Sequence, residues 1–228
     1  IEESFIDSFF NVYPELTINY YFNRKSNLYT TYSLSNQIPE ARNIFSGIIL
    51  MDYRSLINNE FSFNFFNSYS YNLGYRINDF YNLFQFNIYS SYNFSKFGYL
   101  EELNIDQDLN FSTSIVEATN NENLRFGFRL EKYLHFLRST FNLNSNYSIN
   151  NYQNLINNSD LRNNTSKNLL IEFKARTGFK GSVNFENKLF INNNFFETDL
   201  GGSNKFTSLR NDFSVKYVKD RFNFILDS

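Results

Sequence analysis

Few side chains in this sequence could do covalent or metal chemistry. His135 is the only histidine, so a serine–histidine–aspartate triad or a histidine metal site would have to use it. It stands beside Phe136 and Leu137 in a predicted short connection and reads as a turn residue at a rim. Glu101, Glu102, Asp106 and Asp108 form an acidic cluster in a predicted outer loop. Such oxygens can coordinate calcium, but their spacing fits no EF-hand loop and no glycine marks the turn one requires. The cluster reads as solvated loop. The tracts Asn157-Asn158-Ser159 and Asn163-Asn164-Thr165-Ser166 read the same way, and no glycine-rich loop could cradle a phosphate. The expectation is a chain with no catalytic, cofactor or metal residue, not an enzyme, whose ligand-binding residues stay unassigned.

The elements that would position any site must come from an unusual composition. The 228 residues include 29 Phe, 17 Tyr and 39 Asn, against two Pro, eight Gly, no Trp and no Cys. Average chains are dominated by Leu, Ala, Gly and Val. Alanine, the best helix former, is scarce here, while β-favouring aromatics abound. Net charge is −2 and mixed along the chain, which argues against a nucleic-acid partner. Residues 1–11 open with acids and lack the basic start of a signal peptide. No stretch has the ~20 apolar residues of a spanning helix, but a spanning strand needs only ~10 with every second one apolar.

Coding bias toward Asn, Phe and Tyr would not make the aromatics alternate, and they do. Ten segments show period-two alternation: 11–22 (Leu16, Ile18, Tyr20, Phe22), 26–35 (Leu28, Thr30, Tyr32, Leu34) and 61–77 (Phe61, Phe63, Phe65, Tyr69, Tyr71). Next come 81–92 (Phe84, Phe86, Ile88), 116–133 (Val116, Leu124, Phe126, Phe128, Leu130) and 140–150 (Phe141, Leu143, Tyr147, Ile149). The series continues with 167–178 (Leu169, Ile171, Phe173, Ala175), 182–192 (Val183, Phe185, Leu189, Ile191), 206–217 (Leu209, Phe213, Val215, Tyr217) and a segment from Arg221 (Phe222, Phe224, Leu226). None shows a period of 3.6.

The connections alternate in length. Short ones fall at 23–25, 78–80, 134–139, 179–181 and 218–220; long ones at 36–60, 93–115, 151–166 and 193–205. Long loops are uncommon in compact domains. Short turns at one rim and long loops at the other are the pattern of an outer-membrane barrel. The expected fold is therefore an all-β, antiparallel, up-and-down transmembrane β-barrel. Phenylalanines would face lipid and amides a watery or plugged lumen. A soluble β-sandwich also alternates, but it calls for more Gly and Pro in its turns and a less aromatic core.

These residues resemble the C-terminal barrel half of TonB-dependent outer-membrane receptors of the Bacteroidetes type. The match begins at Tyr32-Ser33-Leu34-Ser35-Asn36-Gln37-Ile38-Pro39, with Leu34 and Ile38 where the family often carries arginines. The family's proline-containing run is reduced to Ser55-Leu56-Ile57-Asn58-Asn59-Glu60, which keeps Leu and Glu but neither proline. A mid-barrel strand is similar over Asn120-Asn121-Glu122-Asn123-Leu124-Arg125-Phe126-Gly127-Phe128-Arg129-Leu130-Glu131. Weaker similarity follows at Asn157 to Arg162, Arg176-Thr177-Gly178-Phe179 and Asp220-Arg221-Phe222-Asn223-Phe224, so that it spans essentially the whole chain.

The resemblance implies a 22-stranded barrel filled by an N-terminal plug, with a TonB-contacting segment and active uptake of a nutrient. Its partners would be outer-membrane lipid, the TonB complex acting through a plug, and in many relatives a surface lipoprotein. Residues 1–228 are expected to be a partial barrel domain without plug or remaining strands, because ten strands are too few and the last residues lack a terminal aromatic. A passive pore, or a structural barrel carrying surface proteins, is the alternative. Three structural expectations follow: ten strands in sequential, entirely antiparallel order; Phe84, Phe86, Ile88, Phe141, Leu143, Phe173, Val183, Phe185, Phe213 and Val215 on one face, opposite Asn87, Asn142, Asn144, Lys174, Asn184, Glu186 and Lys188; and no pairing between 11–22 and the segment from Arg221.

Overall fold

The computed structural model describes residues 13–37, 47–59, 66–97, 100–105, 109–115, 119–157, 160–219 and 222–227. Fourteen strands run through them: β1 (Glu15–Tyr21), β2 (Ser26–Gln37), β3 (Gly47–Asp52), β4 (Ser55–Asn59), β5 (Phe66–Asp79), β6 (Phe84–Phe97) and β7 (Leu100–Ile105). The rest are β8 (Asn110–Ile115), β9 (Thr119–Leu134), β10 (Ser139–Ile156), β11 (Arg162–Thr177), β12 (Val183–Thr198), β13 (Gly202–Lys219) and β14 (Phe222–Asp227). There is no helix among the described residues, so none is long and apolar enough to cross a membrane; that says nothing of strands.

Ten strands make a wall in the order β1-β2-β5-β6-β9-β10-β11-β12-β13-β14, each antiparallel to its neighbours. Each coincides with one of the ten alternating segments. Register confirms the two faces. Ile77, Phe86, Leu130, Leu143, Phe173 and Leu189 lie in one cross-strand row. Tyr75, Ile88, Phe128, Ser145, Ile171, Ile191 and Leu209 form the next row on that face. Phe84, Phe141, Phe213, Val183, Phe185 and Val215 share the face too, and Asn87, Asn142, Asn144, Lys174, Asn184, Glu186 and Lys188 share the other.

Among the described residues no second layer covers either face. Leu100 is the one buried apolar side chain among the described residues, and none there is fully enclosed. The molecule exposes 15997 Å², against roughly 11,000 Å² for a globular chain of this mass. A sandwich would bury its phenylalanines between sheets; here Phe126 is 47% and Leu73 51% exposed. The sandwich is excluded as an arrangement of the described residues.

Several expectations need correction. The sheet is not entirely antiparallel and has more than ten strands. The connection at 36–60 contains β3 and β4, and the one at 93–115 contains β7 and β8, which form a small sheet in the order β3-β4-β8-β7. Two of its pairings are parallel, β4 with β8 and β7 with the end of β10, through Leu155 with Glu102 and Ile156 with Leu103. Parallel pairing arises because segments from separate connections meet side by side, with no tight hairpin to force opposite directions. The connections at 151–166 and 193–205 are not long loops. β10 runs on to Ile156 and β11 starts at Arg162, and β12 and β13 run on to a tight turn at 199–201. The expected start of segment three at Phe61 and of segment five at Val116 lies outside the described residues.

Among the described residues β1 pairs only with β2, and β14 only with β13. The two are not neighbours, as expected, and the wall does not close among the described residues. At the opposite rim the turns are short. The Asn23 side-chain carbonyl accepts from the Lys25 and Ser26 N–H groups at 2.8 and 3.0 Å, an arrangement that replaces backbone bonds lost at a turn. Leu83 and Arg138 close their hairpins at φ +47°.

Candidate functional site

The polar face is where the wall could meet a solute, and its charges gather near the short-turn rim. One row holds Arg76, Asn87, Arg129, Asn144, Glu172, Phe190 and Arg210. The row beside it holds Asn78, Gln85, Glu131, Asn142, Lys174, Lys188 and Asp212, followed by Arg176 with Glu186, and then Lys216. Those rows carry seven cations and, with Asp227 paired to Ser214 in the row of Glu186, five carboxylates, a net of +2, in a chain of net −2.

The carboxylates are largely engaged. Glu186 lies 3.1 Å from Lys174 and 3.0 Å from Lys188. Asp212 accepts from the Arg210 Nε at 2.8 Å, and Glu131 accepts from the Asn142 side chain at 3.0 Å. The Arg129 guanidinium is 3.8 Å from Glu131, too far for a hydrogen bond. Arg76 carries no ion pair among those seen in the described residues and instead lies over the Tyr29 ring, 5.5 Å from its centroid. The basic excess therefore concentrates at Arg76, Arg129, Arg176 and Lys216.

Two glycines shape the surface above these rows. Tyr29, Gly74, Tyr89, Gly127 and Asn146 lie in one row. The Tyr29 ring covers Gly74 and the Tyr89 ring covers Gly127, so closely that a Cβ on either glycine would collide with the ring. Tyr89 crosses Gly127 to donate its hydroxyl to Asn146 at 2.7 Å. Rings laid over strand glycines fill the gap the missing side chain leaves and pin register.

Concavities among the described residues open on this face. A cleft of about 540 Å³ includes Arg176, Glu186, Lys188, Ser214 and Lys216 in its lining. One of about 270 Å³ is bounded by Arg76, Asn78, Gln85, Phe86, Asn87 and Arg129. A third, of about 200 Å³, touches Glu131, Asn142, Lys174 and Arg176. The Oδ1 atoms of Asn87, Asn121, Asn123 and Asn142 are buried without a hydrogen-bond partner, which is costly unless something supplies a donor.

The residues singled out for chemistry do not assemble. His135 sits exposed in the turn after β9, its ring edge-on to Tyr133 at 4.9 Å. Glu102 is buried in β7; Asp106, Asp108 and the Glu101 side chain lie outside the described residues. No group of three or more His, Cys, Asp or Glu side chains among the described residues could hold a metal. Asn157, at φ +54°, accepts from the Ile105 N–H at 2.7 Å and donates its own N–H to Leu103 at 3.0 Å, tying the small sheet to the wall. Asn158 and Ser159 lie outside the described residues. Asn163 gives its backbone and side-chain N–H groups to Asp199 at 3.1 and 2.7 Å, and those bonds hold the Asp199 carboxyl below its usual range. Asn164 is buried and donates to Asn154 at 2.9 Å, while Thr165 donates to Asn151 at 3.0 Å; Ser166 lies half-buried within β11. Sequence reasoning assigned Asn87, Lys174, Glu186 and Lys188 to the polar face but missed Arg76 and Arg129 as a pair, because they are 53 positions apart and meet only through register. Comparison with known protein families, with characterised proteins and with solved structures found no match.

Proposed function

We propose that this sheet is part of the wall of a bacterial outer-membrane β-barrel that takes up a nutrient. The observation that carries the reading is a one-layer sheet with an aromatic and aliphatic face opposite an amide and charged one. Between Phe84 and Phe94 on β6 the apolar face rises about 33 Å along the strand, or about 25 Å at a ~40° tilt, the height of the apolar band of such barrels. Tyr32, Tyr71 and Tyr92 form a row near its long-hairpin margin, in keeping with an interfacial aromatic girdle. At the other margin Lys132 lies over the Phe84 ring and reaches the Asn82 carbonyl at 2.8 Å, a stem buried along apolar surface with its charge drawn to the rim.

A water-soluble home for this face would leave Tyr20, Leu73, Phe126 and Leu209 in water, each half exposed or more apart from Phe126 at 47%. Such a patch marks a membrane or partner surface. In lipid the open edges of β1 and β14 require strand partners, so the wall is completed by further strands. The polar face then lines the passage. Uptake driven through a plug by the TonB complex rests on the resemblance of the sequence to TonB-dependent receptors.

The test uses single cysteines in the full-length protein in outer-membrane vesicles, since this chain has none of its own. Ile88→Cys, Phe128→Cys and Ile171→Cys, carrying a fluorophore, are expected to be quenched by nitroxide lipids. Ser91→Cys and Asn144→Cys are expected to react with a polar maleimide and escape quenching. Equal labelling of both sets would overturn the membrane reading. Collapsing the proton gradient separates the modes of transport: uptake that continues undiminished identifies a passive pore.

A further inference from the structure

The cleft between Arg76 and Arg129 has the chemistry of an anion site. Both arginines flank Asn87 in one row, on β5 and β9 with β6 between them. Their Cα atoms are thus about 9.6 Å apart, within reach of two converging arginine side chains. Arg76 is held by the Tyr29 ring. A guanidinium attracted to a ring rather than to a carboxylate keeps its N–H donors for an anion. Arg129 leaves 58% of its side chain exposed, and its neighbouring carboxylate, Glu131, already accepts from Asn142. Between the two cations the Asn87 Oδ1 is buried and lacks a donor. Asn78 and Gln85 complete the lining.

We infer that this cleft binds a small oxyanion that also carries a hydroxyl. The oxyanion bridges the Arg76 and Arg129 guanidiniums, and the hydroxyl donates to the Asn87 Oδ1. Paired guanidiniums match the geometry of phosphate and carboxylate oxygens. The orphaned acceptor selects among anions, because an anion without a proton would set lone pairs against the Asn87 oxygen. The +2 excess of the surrounding rows raises the local concentration of such anions. The cleft faces away from the apolar side, so its ligand comes from solution. The site does not require the membrane reading; that reading only makes it a station on the passage.

Inorganic phosphate at neutral pH has the required P–OH, and sulfate has the same shape without it. Both are titrated calorimetrically into the full-length protein in micelles of an uncharged detergent, in ~0.15 M salt, where charge attraction is screened beyond about 8 Å. Phosphate is expected to bind saturably at one site, and sulfate at least threefold more weakly. Arg76→Gln and Arg129→Gln are each expected to weaken phosphate at least tenfold. Arg210→Gln, a cation on the same face but in neither cleft wall, is expected to leave it unchanged. Should a glutamine variant fail to fold, Arg129→Lys keeps the charge and loses the forked donors, and is expected to weaken phosphate at least threefold. Absence of saturable binding, equal affinity for sulfate, or equal losses in Arg210→Gln would overturn the site. Cysteine labelling reports the facing of the wall separately, so either result stands without the other.

Discussion

Replacing Gly127 with alanine tests how the wall holds its register. An ideal Cβ at Gly127 would overlap Cζ and Cε1 of Tyr89, far inside contact distance. Because those atoms belong to a rigid ring, the whole ring must swing away. It then gives up its hydrogen bond to Asn146, about 1 kcal/mol. It also gives up about 50 Å² of contact over the strand, about 1.2 kcal/mol at ~25 cal/mol/Å². Alanine returns about 0.5 kcal/mol over glycine in a strand interior, so Gly127→Ala should destabilise by about 1.5 kcal/mol. Without the ring the same change meets no obstacle. In a Tyr89→Ala background Gly127→Ala should stabilise by about 0.5 kcal/mol, which makes the coupling about 2 kcal/mol. Denaturant unfolding of the four full-length proteins refolded in detergent completes the double-mutant cycle. A coupling under about 0.5 kcal/mol would refute the account, as it would mean the ring does not rest on Gly127.

Other expectations are smaller in scale. The Asp199 carboxyl is depressed chiefly by the Asn163 backbone N–H and then by the Asn163 side chain. Its contribution is therefore complete above the ordinary carboxylate range and is lost as pH falls through the depressed folded value. The Asn163 amide should lose protection, measured against its intrinsic exchange rate, as the pH falls into acid, with an Asp199→Asn variant showing the lower protection already at neutral pH; pH-independent protection would contradict this. Arg138→Gly relieves a left-handed residue at some cost in unfolded-chain entropy, and should raise stability by about 0.5 kcal/mol; a lower denaturation midpoint would count against it. Asn157→Ala removes the acceptor of the Ile105 N–H, about 1 kcal/mol. Proteolysis of the β3-β4-β8-β7 sheet should then quicken while the wall stays intact, and an unchanged cleavage rate would show that Asn157 is not its tether.

The wall was legible in sequence because its faces differ: Phe84, Phe86 and Ile88 against Gln85, Asn87 and Tyr89 leave an unmistakable period of two. The signal fades where both faces are polar. Asn150 and Asn151, Asn163 and Asn164, and Asn192 to Asn194 all lie in paired strands, yet the same residue on both sides erases alternation. The expectation of long loops there came from that loss. β3 was obscured in the opposite way, since Ile48, Ile49, Leu50 and Met51 are apolar on both faces. The basic cleft was illegible for a different reason. Alternation tells which face a residue takes but not which residues stand beside it, and cross-strand register joins Arg76 to Arg129 only in three dimensions.

The continuation of β10 through β13 beyond the aromatic rows gives the molecule a mechanical character. Strands of 18 residues rise about 60 Å along their axes, and β1, with 7 residues, less than half as far. The taller side is a plate cross-braced by its hydrogen-bond ladders, and the Asp199 bonds to Asn163 clasp the tip of the β12–β13 hairpin to the start of β11, beside the tip of the hairpin before it. From the turn 199–201 the ladder runs unbroken down to the rows that hold Lys174, Glu186 and Lys188, some ten residues below, so no slack chain separates the tip from the ion pairs at the base.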